Sequence, residues 1–540
     1  MVLSFPLPTT SHIQFSPFIN SHTHPSLPQA SSTARHGLRA ALKKHKHLSP
    51  AQRASHLPHV LIALNEYIPY LSAISRGLSS NSWREDAPGG DEGGGRGQGV
   101  EDIDILLRAE IEVEWRPTLS SMSTIRMLRQ AATRGNNSSS ASSSSRVKGR
   151  GLDFEIAFVL STLAYVHSSL ARTTYLTTLY SANTPTTEQK ATAIQTATKH
   201  LLQASSIHSY LATFSPVSIS APSNTYTPGD FGVEMIQIPI PDLDPSMQSA
   251  LSSLALAEAT LLAVLKDDAF LSACIQSRNK NDTEWMIKSP DIPKVRTLLF
   301  ARLCVRAAEY AEQAAASAAM LQKGKGSAAS YGDTGSERKI DSNIVNYMSI
   351  LARVARAKAC RFFGIDAEMS GKVGEGIAWL RAARDMLGFK SSTAETSTDQ
   401  SSKSKLGGFL RLKKEWSERR EEKKIEKVAT SSKSGELLTD IDYGDDAGRE
   451  EEGRVIDMLE KKWTKMNDTV NTQSIPSPSS YASKLPSGRD IHAPPGPYIL
   501  PMLEPAELER LRGPIEPTDY NIDLESSEGE DDKETSRSYY

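Results

Sequence analysis

The sequence predicts a mainly α-helical protein, on three observations. Over its 540 residues, apolar side chains recur mostly at helical spacing, and the alternation typical of strands is rare. Several of the predicted helices exceed the ordinary length of about 11–12 residues, as in helical bundles and solenoids. The segments that separate them are rich in glycine or serine and poor in apolar residues. We therefore expect a body built from packed helices, not an α/β fold.

The first element is a short β element, and helices follow it along most of the chain. The opening FPLPTTSHIQFS alternates weakly and predicts one or two short edge strands. Near the other end, residues 476–497 are proline-rich and predicted to be extended. The predicted helices span residues 35–47, 50–77, 100–116, 119–133, 152–181, 185–213, 244–274, 291–322, 341–366, 372–387, 405–428 and 446–468.

Two of these helices are strongly apolar. In the stretch GLDFEIAFVLSTLAYVHSSLA, one continuous apolar face is formed by Ile156, Val159, Leu160, Leu163, Val166 and Leu170. Asp153 and Glu155 fall at the start of this helix, where carboxylates cap free N–H groups and complement the helix dipole. The helix within residues 244–274 has a similar face. Both helices are predicted to be scaffold.

The helix at 291–322 has more apolar surface than one core contact requires. Its polar stripe comprises Arg302, Arg306, Glu309 and Gln313. The first apolar stripe comprises Leu298, Ala301, Val305 and Ala308, and the second comprises Val295, Leu299 and Leu303. One stripe can face the core, so the other needs a second apolar neighbour. That neighbour is either another helix of the domain or a partner.

The domain organisation follows from composition. Four glycine- or serine-rich segments lie near residues 79–99, 134–149, 323–340 and 391–405. They bury too little apolar surface to offset their ordering entropy, so we predict disordered insertions within one domain. This domain spans 1–505, because the helical pattern resumes after each insertion. Residues 506–540 form a predicted acidic, disordered tail.

Charge and cysteine content restrict the class of protein. The formal net charge of −2 removes the electrostatic drive toward nucleic acid that a basic protein has. The three cysteines, Cys274, Cys304 and Cys360, are too few and too scattered for a disulfide framework or a zinc site. The N-terminus lacks the basic region of a signal peptide, and no apolar run reaches about 18 residues. A soluble protein of the cytoplasm is expected.

The motifs of catalysis and cofactor binding are not found. GKVGEG at 371–376 lacks the preceding strand and the glycine order of a phosphate loop. His45, His47, His56 and His59 cluster without cysteines or carboxylates at ligand spacing, so no metal site is predicted. No nucleophile–base constellation stands out. We predict no cofactor and no enzymatic activity.

One segment leaves a membrane role open. FLRLKKEWSERREEKKIEK at 409–427 is a densely charged helix with apolar residues toward its start. Interleaved glutamates favour a solvated helix with i,i+4 ion pairs. The alternative is a peripheral membrane protein in which this helix and a basic N-terminal helix bind anionic lipid. The basic residues of that N-terminal helix are Arg35, Arg39, Lys43 and Lys44.

Four ordered motifs carry a resemblance to the BRO domain family. LDFEIAFVLSTLA at 152–164 resembles the signature helix of that family. The leucine- and alanine-rich segment 242–267, RAAEY at the end of 295–310, and KVGEGIAWLRAARDML at 372–387 agree in order and spacing. The opening FPLPTT is similar to the N-terminal strand of the family. The resemblance covers most of residues 1–505.

The resemblance implies a fold and a binding site. BRO domains are curved, boomerang-shaped helical bodies with a tetratricopeptide-like core. Their concave face has an apolar patch that receives an amphipathic helix from the C-terminal end of an ESCRT-III core subunit. Carried over by resemblance, the patch falls on Ala263, Leu299 and Leu303. Ile377 and Leu380 either line a neighbouring part of this surface or pack in the core.

The function implied by the resemblance is that of an adaptor. The chain is most similar to stand-alone BRO domains that act in fungal alkaline-pH signalling. Such a protein would link a pH-sensing membrane receptor complex to ESCRT-III, at cortical sites of the plasma membrane or at endosomes. This assembly leads to proteolytic activation of a transcription factor. Two alternatives stay open: an endosomal BRO-domain protein in multivesicular-body cargo sorting, and the lipid-binding protein described above.

Overall fold

A computed structural model describes residues 2–85, 103–120, 146–181, 183–214, 240–276, 294–322, 340–389, 446–493 and 495–513. The strands are β1 (Thr9–Thr10), β2 (Ile19–Asn20), β3 (Leu106–Leu107), β4 (Glu112–Arg116) and β5 (Val147–Arg150). The helices are α1 (Leu27–His47), α2 (Pro50–Glu85), α3 (Leu152–Leu179), α4 (Thr187–Thr213), α5 (Pro245–Asp267), α6 (Ala269–Gln276), α7 (Lys294–Gln322), α8 (Ser342–Met369), α9 (Val373–Leu387), α10 (Arg449–Met466), α11 (Ser479–Ala482) and α12 (Pro505–Leu511). The prediction of a mainly helical fold is confirmed.

The β structure is larger than the opening strands that were predicted. β1, β4 and β5 form an antiparallel sheet in the order β1–β4–β5, and β2 pairs with β3. The predicted helix at 100–116 is wrong, because the chain there forms β3 and β4. Ile111, Val113 and Trp115 are buried, and Glu112 and Glu114 alternate with them at the period of a strand. Residues 121–133, the charged segment 409–427 and most of the predicted insertions lie outside the described residues.

The helices enclose two hydrophobic cores. The N-terminal core lies between α1, α2, the small sheet and the first half of α3. The C-terminal core extends from the second half of α3 through α10. In this second region α3, α4, α5, α7, α8, α9 and α10 form a row in which each helix packs on the next. The long helix α3 contributes to both cores and joins them.

The most apolar helices are explained by burial within this row. α3 and α5 are both long and apolar enough to span a bilayer. However, 94% of the most apolar window of α3 and 78% of that of α5 is buried inside the fold. Helices that are apolar on most faces are expected at the centre of a helical body. Their composition is therefore accounted for by the core.

Glu155 organises the N-terminal core. Its carboxylate accepts hydrogen bonds from Arg35 Nε (2.8 Å), Tyr67 OH (3.0 Å) and Trp115 Nε1 (2.6 Å). These donors come from α1, α2 and β4, so one buried side chain joins three elements to α3. Glu155 lies in the first turn of α3 as predicted, but the helix begins after Gly151 with no side-chain cap, so the predicted capping role is not seen. Its partners lie far away in sequence, and helical position alone does not reveal them.

A buried ion network organises the C-terminal core. Arg361 of α8 binds Asp268, at the junction of α5 and α6, and Glu452 of α10 (2.6 Å). Lys358 binds the same Glu452 at 2.7 Å. The two cations and two anions cancel, as a buried charge requires. The network thereby fixes α10 against helices that precede it by many residues.

The chain after α10 crosses the row of helices as an extended segment, which we call the C-terminal strap (residues 473–493 and 495–504). Gln473 accepts a hydrogen bond from the Gly374 N–H at the start of α9 (3.0 Å). The ring of Tyr481 then packs on Trp379, with 4.8 Å between the centroids. The extended conformation predicted for residues 476–497 is confirmed apart from the one-turn helix α11.

The strap continues to the N-terminal region. It contacts α7, then the backbone of α5 at Ala259, and then Tyr210 of α4 through Tyr498. Beyond the strap, α12 is hydrogen-bonded to α2. The Tyr70 OH of α2 donates to Glu507 of α12 (2.7 Å). Leu511 is buried in the N-terminal core, so the packed body continues past residue 505, where the predicted domain ended.

Candidate partner-binding site

The polar stripe predicted on α7 is the seat of the strap. Arg306 Nε donates to Asp490 Oδ1 at 2.7 Å, and Tyr310 OH donates to the same oxygen at 2.7 Å. The Arg306 guanidinium also lies 4.3 Å from the centroid of the Tyr310 ring. Hydrogen bonds from Arg306 and Tyr310 hold the pKa of Asp490 below its usual value. These contacts lock the strap at one position along α7.

The backbone of the strap touches the backbone of α7. The Gly488 N–H donates to Glu309 Oε1 (3.1 Å), and the Arg489 N–H donates to the Arg302 carbonyl (3.1 Å). A Cβ atom at Gly488 would lie only 2.5 Å from backbone atoms of Arg306. Glycine at this position therefore allows the close approach.

The two apolar stripes of α7 have different environments. In the first stripe, Ala301, Val305 and Ala308 are buried in the C-terminal core, and only Leu298 is exposed, at 45%. In the second stripe, Leu303 is 2% exposed and Leu299 is half-buried. The Val295 side chain lies outside the described residues. Leu299 is thus the member of the second stripe that reaches the surface.

The position of α7 in the row shows where each stripe points. Arg356 of α8 makes an ion pair with Glu312, which marks the α8 side of α7. Arg296 pairs with Asp267 at the end of α5 (3.3 Å), which marks the α5 side. By helical spacing, Leu299 and Leu303 lie toward α5, and Leu298 lies toward α8. Leu299 therefore faces the groove between α5 and α7.

Ala263 lies across this groove on α5 and is half-buried. The strap crosses α5 one turn earlier, where His492 hydrogen-bonds to the backbone of Ala259. Ile491, the residue before it, is 47% exposed. We define the α5–α7 window as Ala263, Leu299, Leu303 and Ile491. The Arg296–Asp267 ion pair bounds it on one side and the strap bounds it on the other.

The remaining two predicted site residues lie elsewhere. Ile377 and Leu380 of α9 are both 0% exposed in the C-terminal core. α8 separates α9 from α7 in the row of helices. This placement corresponds to core packing, the second of the two interpretations given for these residues. Ala263, Leu299 and Leu303 thus lie on the neighbouring helices α5 and α7, whereas Ile377 and Leu380 lie on α9, on the far side of α8.

The strap is the part of the window that sequence reasoning missed. The glycine and prolines of residues 484–497 indicate an extended chain, but not the helices that it crosses. The charged pattern of Arg302, Arg306 and Glu309 is the same as that of a solvated helix face. The sequence indicated the strap only when two features of α7 are taken together. Its polar stripe lies directly beside an apolar stripe that one core contact does not require.

Groups able to do chemistry are not found at the window. Burial raises the pKa of the Cys304 thiol to about 12, so it carries no thiolate at neutral pH. Within the described ranges, no group of three or more histidine, cysteine or acidic side chains is arranged to hold a metal ion. The window therefore consists of apolar side chains with charged residues at its margins.

Comparison with known proteins gives a family match and two curated relatives. Residues 110–487 match the model of the BRO1-like domain family. The chain is 48% identical over 541 residues to the pH-response regulator protein palC of Emericella nidulans, covering 99% of this chain and 96% of that protein. It is 32% identical over 161 residues to palC of Cryptococcus neoformans, covering 29% of this chain and 27% of that protein.

Three solved structures are also similar. ALIX in complex with the SIVmac239 PYKEVTEDL late domain shares 15% identity at a TM-score of 0.45, covering 93% of this chain and 49% of that chain. This chain therefore spans about half the length of that protein. The ALIX BRO1–CHMP4C complex shares 14% identity at 0.43, covering 92% and 96%. A Bro1 domain described for endosomal targeting shares 14% at 0.40, covering 95% of both chains.

Proposed function

Because the chain belongs to the BRO1-like domain family, we propose that it is a non-enzymatic adaptor that binds an ESCRT-III core subunit in fungal ambient-pH signalling. The observation that carries the pathway is its 48% identity, over nearly the full length of both chains, to the pH-response regulator palC of Emericella nidulans. The observation that carries the binding mode is the α5–α7 window.

The partner element is the C-terminal amphipathic helix of the ESCRT-III subunit. Half-buried Ala263 of α5 would contact an apolar anchor of that helix. Leu299 and Ile491 offer exposed apolar surface, whereas Leu303 is buried. Apolar anchors at i, i+3, i+4 and i+7 would enter such a groove in succession. The partner gains affinity by removing these side chains from water.

Charge at the margins adds orientation. Lys266 is exposed one turn from Ala263 on α5, and Arg296 stands at the facing end of α7. A helix with carboxylates beside its apolar anchors is attracted to these cations, whereas a basic helix is repelled. Because Arg296 is already paired with Asp267, Lys266 is the cation at this margin that would attract a carboxylate beside the apolar anchors.

In the cell, the adaptor would connect a pH-sensing membrane receptor complex to ESCRT-III polymer. Its location would follow its partners, at cortical sites of the plasma membrane or at endosomes. The assembled polymer would then serve the proteolytic activation of a transcription factor. A deletion strain should grow poorly at alkaline pH. Normal alkaline growth with mis-sorted vacuolar cargo would instead support the role in multivesicular-body sorting.

The binding site is tested by charge insertion on α7. We expect Leu299→Asp to weaken binding of the isolated ESCRT-III C-terminal helix at least about tenfold, because a carboxylate replaces an apolar contact. Leu298→Asp is the matched control, since it places the same charge on the α8 side of the helix. Binding is measured by titration, and circular dichroism checks the helix content of each variant.

Leu303→Asp is expected to abolish binding as well, and also to lower stability, because Leu303 is buried. Leu303→Ala separates these effects, since it keeps the site apolar. Unchanged affinity in Leu299→Asp, or an equal loss in Leu298→Asp, would contradict the proposed window.

A further inference from the structure

The N-terminal part of the sequence carries positive charge without any carboxylate side chain. The first acidic residue of the chain is Glu66. Six basic residues precede it: Arg35, Arg39, Lys43, Lys44, Lys46 and Arg53. The chain as a whole has a net charge of −2, so this excess is local. The structure shows how much of it reaches the surface.

Most of this charge collects where α1 ends and α2 begins, which we call the α1–α2 tip (residues 43–59). The last turn of α1 carries Lys44, His45, Lys46 and His47. Lys44, Lys46 and Arg53 are exposed and make no ion pair with any residue in the described ranges. Arg53 donates to the carbonyls of Leu48 (2.9 Å) and Lys46 (3.0 Å), which fixes the turn between the two helices.

Arg35 does not take part, although the sequence grouped it with the basic face of this helix. It is buried and engaged by Glu155. The exposed basic surface therefore lies toward the C-terminal end of α1 and not along its whole length. The exposed positive charge is therefore confined to a smaller area than the sequence predicted.

Three histidines, His45, His56 and His59, lie close together beneath the tip. The rings of His45 and His56 lie 5.9 Å apart, and those of His56 and His59 lie 5.4 Å apart. Burial, together with the nearby His56 and Arg53, lowers the pKa of His45 to about 4. Burial also lowers the pKa of His56, together with Lys44 and His59. Added protons are disfavoured on His45 and His56 chiefly because both rings are buried, and nearby basic groups add to this effect.

One exposed apolar side chain accompanies these cations. Ile62 is 53% exposed and lies one turn after His59 on the same side of α2. A cluster of about four to eight basic residues on an amphipathic helix is typical of binding to anionic lipid. An isolated apolar residue at its margin adds insertion into the headgroup region, which a nucleic acid or acidic peptide would not use.

We propose that the α1–α2 tip docks on an anionic phospholipid bilayer, with Lys44, Lys46 and Arg53 as its charged contacts and the neighbouring Ile62 of α2 as an apolar contact. A bilayer presents many negative headgroups at high density, so a few exposed cations suffice for reversible attachment. This surface is separate from the α5–α7 window and does not rest on ESCRT-III binding. The free energies of binding to the membrane and to the partner would then add, because the two surfaces do not overlap.

The test uses the full chain and vesicles of phosphatidylcholine with or without phosphatidylserine. We expect co-sedimentation with the phosphatidylserine vesicles only, and a steep loss of binding with added salt. Lys44→Glu combined with Lys46→Glu should lower the affinity at least about tenfold. The control is Lys461→Glu with Lys465→Glu on α10, which changes the net charge equally at two exposed positions.

Comparing the α1–α2 tip variant with the α10 control separates a local effect from a change in net charge. Unchanged binding of the α1–α2 tip variant, or an equal loss in the α10 control, would overturn the proposal. Equal binding to phosphatidylcholine alone would do the same, as would tighter salt-sensitive binding to duplex DNA than to vesicles. An ESCRT-III helix should bind the tip variant as tightly as the original chain, which also verifies that the variant is folded.

Discussion

The two apolar helices α3 and α5 each bury a glutamate, and these glutamates are held in different ways. Glu155 of α3 forms an ion pair with Arg35 at 2.8 Å. Glu258 of α5 accepts hydrogen bonds from the Leu3 N–H and Tyr347 OH, both at 2.9 Å, and neither donor is charged. Burial raises the pKa of Glu258 to about 7, against the hydrogen bonds that lower it.

The difference shows that burial alone does not decide the role of a carboxylate. In the N-terminal core, the cation makes Glu155 part of a permanent polar joint between four elements. In the C-terminal core, Glu258 gains or loses a proton near neutral pH while it anchors the first residues of the chain. The same residue type is therefore balanced by a cation in one region and held by uncharged donors in the other.

Breaking the ion pair should have the largest effect. We expect Glu155→Gln to lower the free energy of unfolding by about 3–5 kcal/mol, because it leaves Arg35 buried without a counter-charge. Urea unfolding followed by circular dichroism measures the change. Asp153→Asn, an exposed position in the first turn of the same helix, is the control. A loss below about 1 kcal/mol would show that Arg35 finds another partner or water.

Neutralising Glu258 should change the pH dependence of stability. The pKa of Glu258 is about 7 in the fold, above its ordinary value of 4.5, so the folded state binds the extra proton. Its contribution is fully present below pH 4.5 and is lost as the pH rises through 7.

Relative to Glu258→Gln, the original chain should therefore lose about 2–3 kcal/mol of unfolding free energy between roughly pH 5 and pH 8. Urea unfolding at a series of pH values tests this difference. Glu66→Gln, at an exposed position, should leave the slope unchanged. A slope that is the same with and without Glu258 would show that the buried carboxyl does not titrate in this range.

Disrupting the contact between the strap and α7 should have the smallest effect. It shows whether the stability of the N-terminal and C-terminal cores depends on the strap. Gly488→Ala places a Cβ 2.5 Å from the backbone of Arg306, so we expect a loss of about 1–2 kcal/mol. Gly496→Ala is the control, because nothing lies within 4 Å of its added Cβ.

Hydrogen exchange locates the damage caused by Gly488→Ala. Faster exchange of the Arg489 N–H, with unchanged protection in α3, would show that the strap loosens without unfolding the cores. Equal protection of Arg489 in both variants would contradict the close-packing interpretation.

Sequence pattern was sufficient for the long helices because each carries its own periodic apolar surface. α3, α4 and α9 agree with their predicted spans to within a few residues. β4 was missed since five residues give too short an alternation to outweigh the helical pattern around it. β5 was missed for the same reason, as it follows a serine tract and has only four residues.

Tertiary partners were beyond the reach of sequence pattern. Glu155 has a suitable position for helix capping, and only folding brings Arg35 to it across 120 residues. The window was partly predictable, because the surplus stripe of α7 contained Leu299 and Leu303. Their periodicity did not distinguish the half-buried Leu299 from the buried Leu303, since exposure depends on how closely α5 approaches. Ile377 likewise shares its pattern with any core residue.

The contact between Ser26 and Gly513 has a consequence for biosynthesis. The Ser26 hydroxyl donates to the Gly513 carbonyl at 2.7 Å, which joins positions 487 residues apart in the chain. While a ribosome is still adding the residues after α10, the strap is missing and its seat on α7 is bare. The nascent protein must then keep an incomplete helical row soluble for the time that synthesis takes, at about 5–20 residues per second. Completion of the structure is therefore a late event in synthesis, and a nascent chain stalled before the strap should be a preferred substrate for chaperones.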